Sequence, residues 1–258
     1  MNFKHKKMNK KLTNKVVIVT GASKGIGAGI AKQMGKEGAR VVVNYSTSKS
    51  DADNVVNEIK SNGGIAIAVQ GDVSKSNDVK RLFEETKKAF GGLNVLVNNA
   101  GVFAGVPLSE FTEEAYRKMF DVNVLGTLLT SQEALKLFDI NGGSIINISS
   151  IVSTDPEPTL SVYGASKAAM SLLTNALSKE LGQKNIRVNS LRPSMVLTEG
   201  LASLGVVADN PYVGVMTGRT ALGRLATPED IGNMAVFLST DEASMVTGQE
   251  IEVSGGFK

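Results

Sequence analysis

Lys15-Val-Val-Ile-Val-Thr-Gly-Ala-Ser-Lys-Gly-Ile-Gly27 decides how the rest of the chain is read. Val16 to Val19 is an unbroken run of branched apolar residues, the pattern of a strand buried on both faces. A glycine-rich turn follows, and residues 28–38 repeat Ile30, Ala31 and Met34 at helical spacing. Strand, glycine turn and helix in that order bring backbone N–H groups and a helix N-terminus to one point. Such a point attracts a pyrophosphate. Gly21 permits the sharp turn, Gly25 lets phosphate approach the backbone, and Gly27 lets the helix lie close to the sheet. Ser23, Lys24 and Ile26 complete this candidate phosphate contact.

Working outward, the same alternation recurs. Short apolar runs at 40–44, 65–69, 94–97, 143–148, 186–191 and 250–253 predict six more strands. Between them, helical spacing predicts helices over 51–62, 78–90, 112–138 and 161–182. No linker-like break interrupts the pattern, so the reading is a single α/β domain over 13–258: a doubly wound parallel sheet of about seven strands with helices on both faces. Residues 199–217, with glycines among Leu, Val, Tyr212 and Met216, read as a mobile apolar lid.

Composition narrows the function. Charged residues at 21% and apolar ones at 42% suit a globule with a sizeable core, and no apolar run is long enough to span a bilayer. Without cysteine there are no disulfides and no thiolate chemistry, which fits a reducing, cytoplasmic setting. The net charge of +3 is concentrated at the start: Lys4, Lys6, Lys7, Lys10 and Lys11 lie there with no acid among them. Residues 1–12 read as a solvated, disordered basic tail, so neither nucleic acid nor a membrane is expected as a partner. His5 in that tail is the only histidine, which excludes a histidine triad or metal cluster in the body.

Two features carry chemistry. At the end of the second strand, a carboxylate normally bonds the adenosine ribose of NAD. This chain has Asn44-Tyr45-Ser46 and no acid until Asp51, so repulsion against a 2′-phosphate is absent. Tyr163 and Lys167, four apart at the start of a helix, share one face. Carbonyl reduction by hydride needs a proton donor at the developing alkoxide. A free tyrosine, with a pKa near ~10, becomes useful when an ammonium and a cationic nicotinamide favour its phenolate. A hydroxyl from a strand end, at Ser149 or Ser150, holds the substrate oxygen.

The motifs Thr20-Gly21 to Gly25-Ile26-Gly27, Asn98-Asn99-Ala100-Gly101, Asn123, Ser150 thirteen positions before Tyr163, and Tyr163-x-x-x-Lys167 stand in one order. In that order they resemble the short-chain dehydrogenase/reductase family, over about residues 13–257. The resemblance implies a Rossmann fold and a catalytic set of Asn123, Ser150, Tyr163 and Lys167. Tyr163 would be the acid/base, Lys167 its electrostatic partner and ribose binder, Ser150 the oxyanion support, and the Asn123 carbonyl the holder of a relay water. It implies cofactor contacts at Asp72 and Val73 against adenine, at Asn99, Ala100 and Gly101 beside the nicotinamide ribose, and at Pro193, Val196 and Thr198. Asp72 reads equally as a turn cap. The family's usual Pro-Gly is Pro193-Ser194 here, which puts the local path beside the nicotinamide in question. A basic residue at Lys24 pairs with the 2′-phosphate in NADP-preferring members, so NADP(H) is expected over NAD(H).

The expected reaction is hydride transfer between NADP(H) and a small-molecule ketone or secondary alcohol. The alternatives are 3-oxoacyl carrier-protein reduction, an NAD-dependent sugar or steroid dehydrogenase, and a dinucleotide-sensing module without turnover. Asp155 and Glu157 near the pocket mouth would repel an acidic carrier protein. The helix over 161–182 is apolar on two faces, Ala165, Ala168, Ala169, Leu172 and Ala176 on one and Met170, Leu173, Leu177 and Leu181 on the other, one stripe more than a sheet needs. Together with the family's habit, that stripe predicts a homotetramer.

Overall fold

The structure is a computed structural model, and it describes residues 10–202, 205–207 and 209–258. Seven strands form one sheet: β1 (Val16–Val19), β2 (Arg40–Tyr45), β3 (Ile65–Gln70), β4 (Val95–Asn98), β5 (Gly143–Ile148), β6 (Ile186–Pro193) and β7 (Glu250–Val253). Every pairing is parallel and the spatial order is β3-β2-β1-β4-β5-β6-β7. The order reverses between β1 and β4, which opens a crevice beyond their C-terminal ends.

The helices are α1 (Gly25–Lys36), α2 (Lys49–Ser61), α3 (Ser76–Phe90), α4 (Glu113–Phe120), α5 (Gly126–Ala134), α6 (Ser161–Leu181), α7 (Glu199–Ala202), α8 (Pro211–Gly218) and α9 (Pro228–Leu238). Successive strand residues point to opposite faces, so β1 feeds two cores. Val17 and Val19 pack with α1, α2 and α9 through Ile30, Met34, Val55, Ile59 and Ile231. Val16 and Ile18 pack with α3, α5 and α6 through Val79, Leu82, Phe83, Ala134 and Leu181. All four β1 residues are buried, which is why the strand reads as a continuous apolar run.

Two expectations change in detail. The packed chain begins ahead of residue 13: Leu12 is fully buried, and its N–H donates to Glu37 O at 2.9 Å. Residues 1–9 of the expected tail lie outside the described residues. The helix expected over 112–138 is three pieces, α4, a π turn at Asp121–Leu125, and α5. Asn123 sits on that π turn, fully buried. A π turn inside a helix is uncommon and frequently marks a working site. Of the expected lid, α7 and α8 are described, while residues 203, 204 and 208 lie outside the described residues.

Candidate active site

The glycine turn and the Asn98-Asn99-Ala100-Gly101 turn lock together across the switch point. Thr20 Oγ1 accepts from the N–H groups of Asn99 and Ala100, both at 3.0 Å. Asn99 Nδ2 returns bonds to Thr20 O at 2.9 Å and Gly21 O at 3.0 Å. Gly21 has φ +59°, and a Cβ there would stand 2.8 Å from Ala100 Cα, so only glycine fits. Behind the turn, Asn98, Ser131, Asn147, Thr130 and Thr174 form a buried amide–hydroxyl ladder tying β4 and β5 to α5 and α6. A fully partnered network of this kind fixes geometry, because each unmet polar group would be costly.

At the ends of β2 and β3 the amides are committed to the fold. Asn44 is buried; its Oδ1 accepts from Gly21 N at 3.1 Å, and its Nδ2 donates to Val69 O and Gly71 O at 3.3 and 3.0 Å. Its side chain braces three strand ends, with both amide atoms bonded within the chain. Tyr45 is buried beside it, and Ser46 is exposed. Beyond them, Thr47, Ser48 and Lys49 lead into the N-terminus of α2, a hydroxyl-rich basic corner that the sequence reading missed. Lys24 is exposed and makes no ion pair among the described residues. Asp72 caps its turn: Oδ1 accepts from Ser74 N and Ser74 Oγ at 2.9 and 2.7 Å. Val73 is buried against Gly126.

The four residues expected to carry chemistry converge at the C-terminal ends of β4 and β5. Lys167 is buried on α6, with Nζ donating to Ile148 O at 2.8 Å and lying 5.7 Å from the centre of the Tyr163 ring. Burial lowers its pKa to about 8, because the ammonium has lost its water. Burial around the Tyr163 hydroxyl raises its pKa to about 12, and a hydrogen bond with Ser150 pulls weakly the other way. Ser150 starts a short turn over Ile151–Ser153, whereas Ser149 points inward, its Oγ donating to Lys167 O at 3.0 Å. Asn123 Oδ1 accepts from Val102 N at 2.8 Å. Its Nδ2 donates to Val102 O and Ser166 Oγ at 3.1 and 3.0 Å. Gly101 leaves the space between them: a Cβ there would meet Asn123 Oδ1 at 3.3 Å and Lys167 Nζ at 3.5 Å.

The remaining walls mix apolar and polar groups. Phe103, about half exposed, sets its ring edge-on to Tyr163 at 4.9 Å and 83°. Nothing in a periodicity argument marks it; its signal is an aromatic two residues after the glycine of the turn. Ser194 is buried with an ordinary negative φ and donates to Ser254 O at 3.4 Å, so the backbone after Pro193 needs no glycine. Val196 is buried, and Thr198 touches the space above Gly25. Glu157 is paired with Arg219 at 2.5 Å, and Arg219 also stacks on Phe257 at 4.3 Å. The loop charge expected to repel an acidic partner is thereby partly neutralised.

A polar hollow of about 420 Å³ lies at the opposite end of the sheet, by the N-terminal ends of the strands, lined by Lys15, Asn94, Arg187 and Asp241. Its cations are already engaged, Lys15 with Asp241 and Arg187 with the carbonyls of Leu238 and Thr240. The chemistry-bearing groups are all at the other end.

The glycine turn is built for an anionic oxygen, since the N–H of Gly25 at the head of α1 donates to the carboxylate of Glu199 at 3.0 Å. The residues present therefore fit a dinucleotide phosphate. Comparison with known proteins agrees. A family model described as Enoyl-(Acyl carrier protein) reductase matches residues 21–258. An uncharacterised oxidoreductase of Methylorubrum extorquens is 48% identical over 248 residues, covering 96% of this chain and 99% of that protein. Glucose 1-dehydrogenase 2 of Bacillus subtilis is 38% identical over 253 residues, 96% of each chain. A short-chain dehydrogenase from Burkholderia cenocepacia, solved in complex with NADP, superposes with a TM-score of 0.89 at 33% identity, covering 95% of this chain and 98% of the other.

Proposed function

This chain belongs to the short-chain dehydrogenase/reductase family, an NAD(P)-dependent oxidoreductase acting on CH–OH donors, and on that premise we propose that it reduces a ketone with NADPH. The observation that carries the reading is the Tyr163 hydroxyl, held beside Ser150 and Lys167 at the mouth of the crevice. With its pKa pushed up to about 12, Tyr163 keeps its proton at neutral pH and can donate it to a carbonyl oxygen. Ser150 holds that oxygen, and Lys167 presents an ammonium that favours the phenolate left behind. Asn123 fixes the loop at Val102 and leaves its own backbone carbonyl beside Thr127 Oγ1, at 2.8 Å. When bound, the dinucleotide supplies the hydride to the carbonyl carbon. Phe103 and the apolar lid favour a ketone with hydrophobic substituents.

NADPH over NADH is supported by the missing acid at the end of β2, the exposed Lys24, and the hydroxyls of Ser46, Thr47 and Ser48 beside the N-terminus of α2. A relative solved with NADP adds to it. A 3-oxoacyl carrier thioester is the second reading, because Arg219 offsets the Glu157 charge at the mouth. Exposed large apolar side chains on α6 (Leu172) and on the α4, π-turn and α5 pieces (Tyr116, Leu125, Leu128) support a homotetramer. Light scattering at micromolar concentration tests that state. Among the described residues no helix is long and apolar enough to cross a membrane, and the lack of cysteine supports a cytoplasmic setting.

The test is the loss of NADPH and NADH absorbance, measured separately, with a β-ketoester, an aryl ketone, a 3-oxoacyl thioester and glucose run in reverse. Faster loss of NADPH with a simple ketone is the expected result. Turnover with the thioester alone moves the carrier-protein reading forward, and NADH preference or glucose oxidation overturns the cofactor or substrate assignment.

A further inference from the structure

The head of α1 is capped from far away in sequence. Lys24, at the cap position, makes no side-chain capping bond, and the first turn of α1 contains no acid. Helix N-termini attract negative charge, and here it arrives from Glu199, whose carboxylate accepts the Gly25 N–H at 3.0 Å. Thr198 presses on the same glycine, its Cβ and Cγ2 each 3.4 Å from where a Gly25 side chain would begin. Glu199 opens α7, and the Leu201 N–H bonds back to Thr198 Oγ1 at 3.4 Å, so the carboxylate and the short helix are seated together. Glu199 is exposed, so leaving this position strands no charge in the interior.

We propose that Glu199 is an internal competitor for the phosphate cradle, which a dinucleotide must displace on binding, freeing α7 from the glycine turn. The inference rests on the dinucleotide reading of that turn. Its logic is electrostatic: one N–H at a helix head cannot serve a carboxylate and a phosphate oxygen at once, and the two anions repel. Binding is then weakened by the fraction of molecules in which the cradle is taken. A carboxylate seated in about nine molecules of ten raises the apparent Kd about ten-fold. Displacement also couples cofactor binding to the first turn of the lid without any contact between cofactor and substrate.

Calorimetric titration of the full chain with NADPH and with NADH, for wild type, Glu199→Gln and Glu199→Ala, tests this. The expected result is a Kd about three- to ten-fold lower in Glu199→Ala, with Glu199→Gln between, because the amide keeps an acceptor but loses the charge. Hydrogen exchange supplies a second readout: the Gly25 amide should exchange faster in ligand-free Glu199→Ala than in wild type, and the difference should vanish with cofactor bound. If wild type binds cofactor and neither variant binds tighter, Glu199 is merely a cap and the displacement is wrong. If no form binds either dinucleotide, the reading of the turn itself falls, and the displacement with it.

Discussion

Two walls face the same crevice and are built differently. On the β5–α6 side, Asn123, Asn147, Ser166 and Lys167 are buried and bonded within the chain, at distances of 2.7 to 3.1 Å. On the lid side, α8 leaves Tyr212 and Val215 47% and 62% exposed, and the small cluster of Val213, Met216 and Leu225 is apolar. The first wall fixes atoms, as the proposed proton transfer requires, because such a step tolerates little error in distance. The second offers unspecialised apolar surface with few polar anchors, which suits a partner whose shape varies. On the proposed function, chemistry falls to the buried, hydrogen-bonded half and recognition to the exposed apolar one.

The sharpest way to break this division is Tyr163→Phe. If the rigid wall supplies the proton, turnover falls about 10³-fold while the cofactor Kd, measured by calorimetry, stays within about two-fold. Retained turnover would remove Tyr163 from its proposed role. Next is Asn123→Ala, which removes both bonds to Val102 and the donor to Ser166 Oγ. Stability should fall by about 2–3 kcal/mol in urea unfolding, and a smaller loss would mean that the π turn is held by other contacts.

Lys167→Met probes the tension between function and stability in the same wall. The folded pKa of Lys167, about 8, lies below the ordinary 10.5, so the unfolded chain binds more protons between those values. Stability from this group therefore rises as pH climbs from about 8 to about 10, and the full burial penalty stands below 8. Methionine should stabilise the protein by about 1–2 kcal/mol at pH 7, abolish that rise, and lower turnover. Thermal melts across pH 7 to 10 read the first two effects. The smallest change is Tyr212→Ala on the lid: stability within about 0.5 kcal/mol, with KM for a bulky ketone shifting a few-fold at unchanged kcat. A large fall in kcat would show that the two walls are not separable.

Legibility in the sequence follows the same division. Strand runs and helix spacing are local patterns, and Val16–Val19 declared a doubly covered strand because both of its faces meet core. Tyr163 and Lys167 were found by a four-residue spacing within one helix. Asn44 was read as a cofactor contact from its place at a strand end, and its amide is bonded to Gly21, Val69 and Gly71, all three more than 20 positions away. The π turn was invisible because Asn123 is held by Val102 and Ser166, 21 and 43 positions distant, and no spacing within the helix records that pull.

By itself the sequence determined the α/β alternation and the doubly covered strands, since these rest on periodicities of two and 3.6 residues, and it offered Tyr163 and Lys167 as a pair chemically able to move a proton. Only the tertiary structure decided which groups are desolvated, which amides are already engaged, and that Glu199 meets Gly25 from 174 positions away. Those outcomes depend on the strand order, which brings remote strand ends to one crevice, and local patterns carry no information about it.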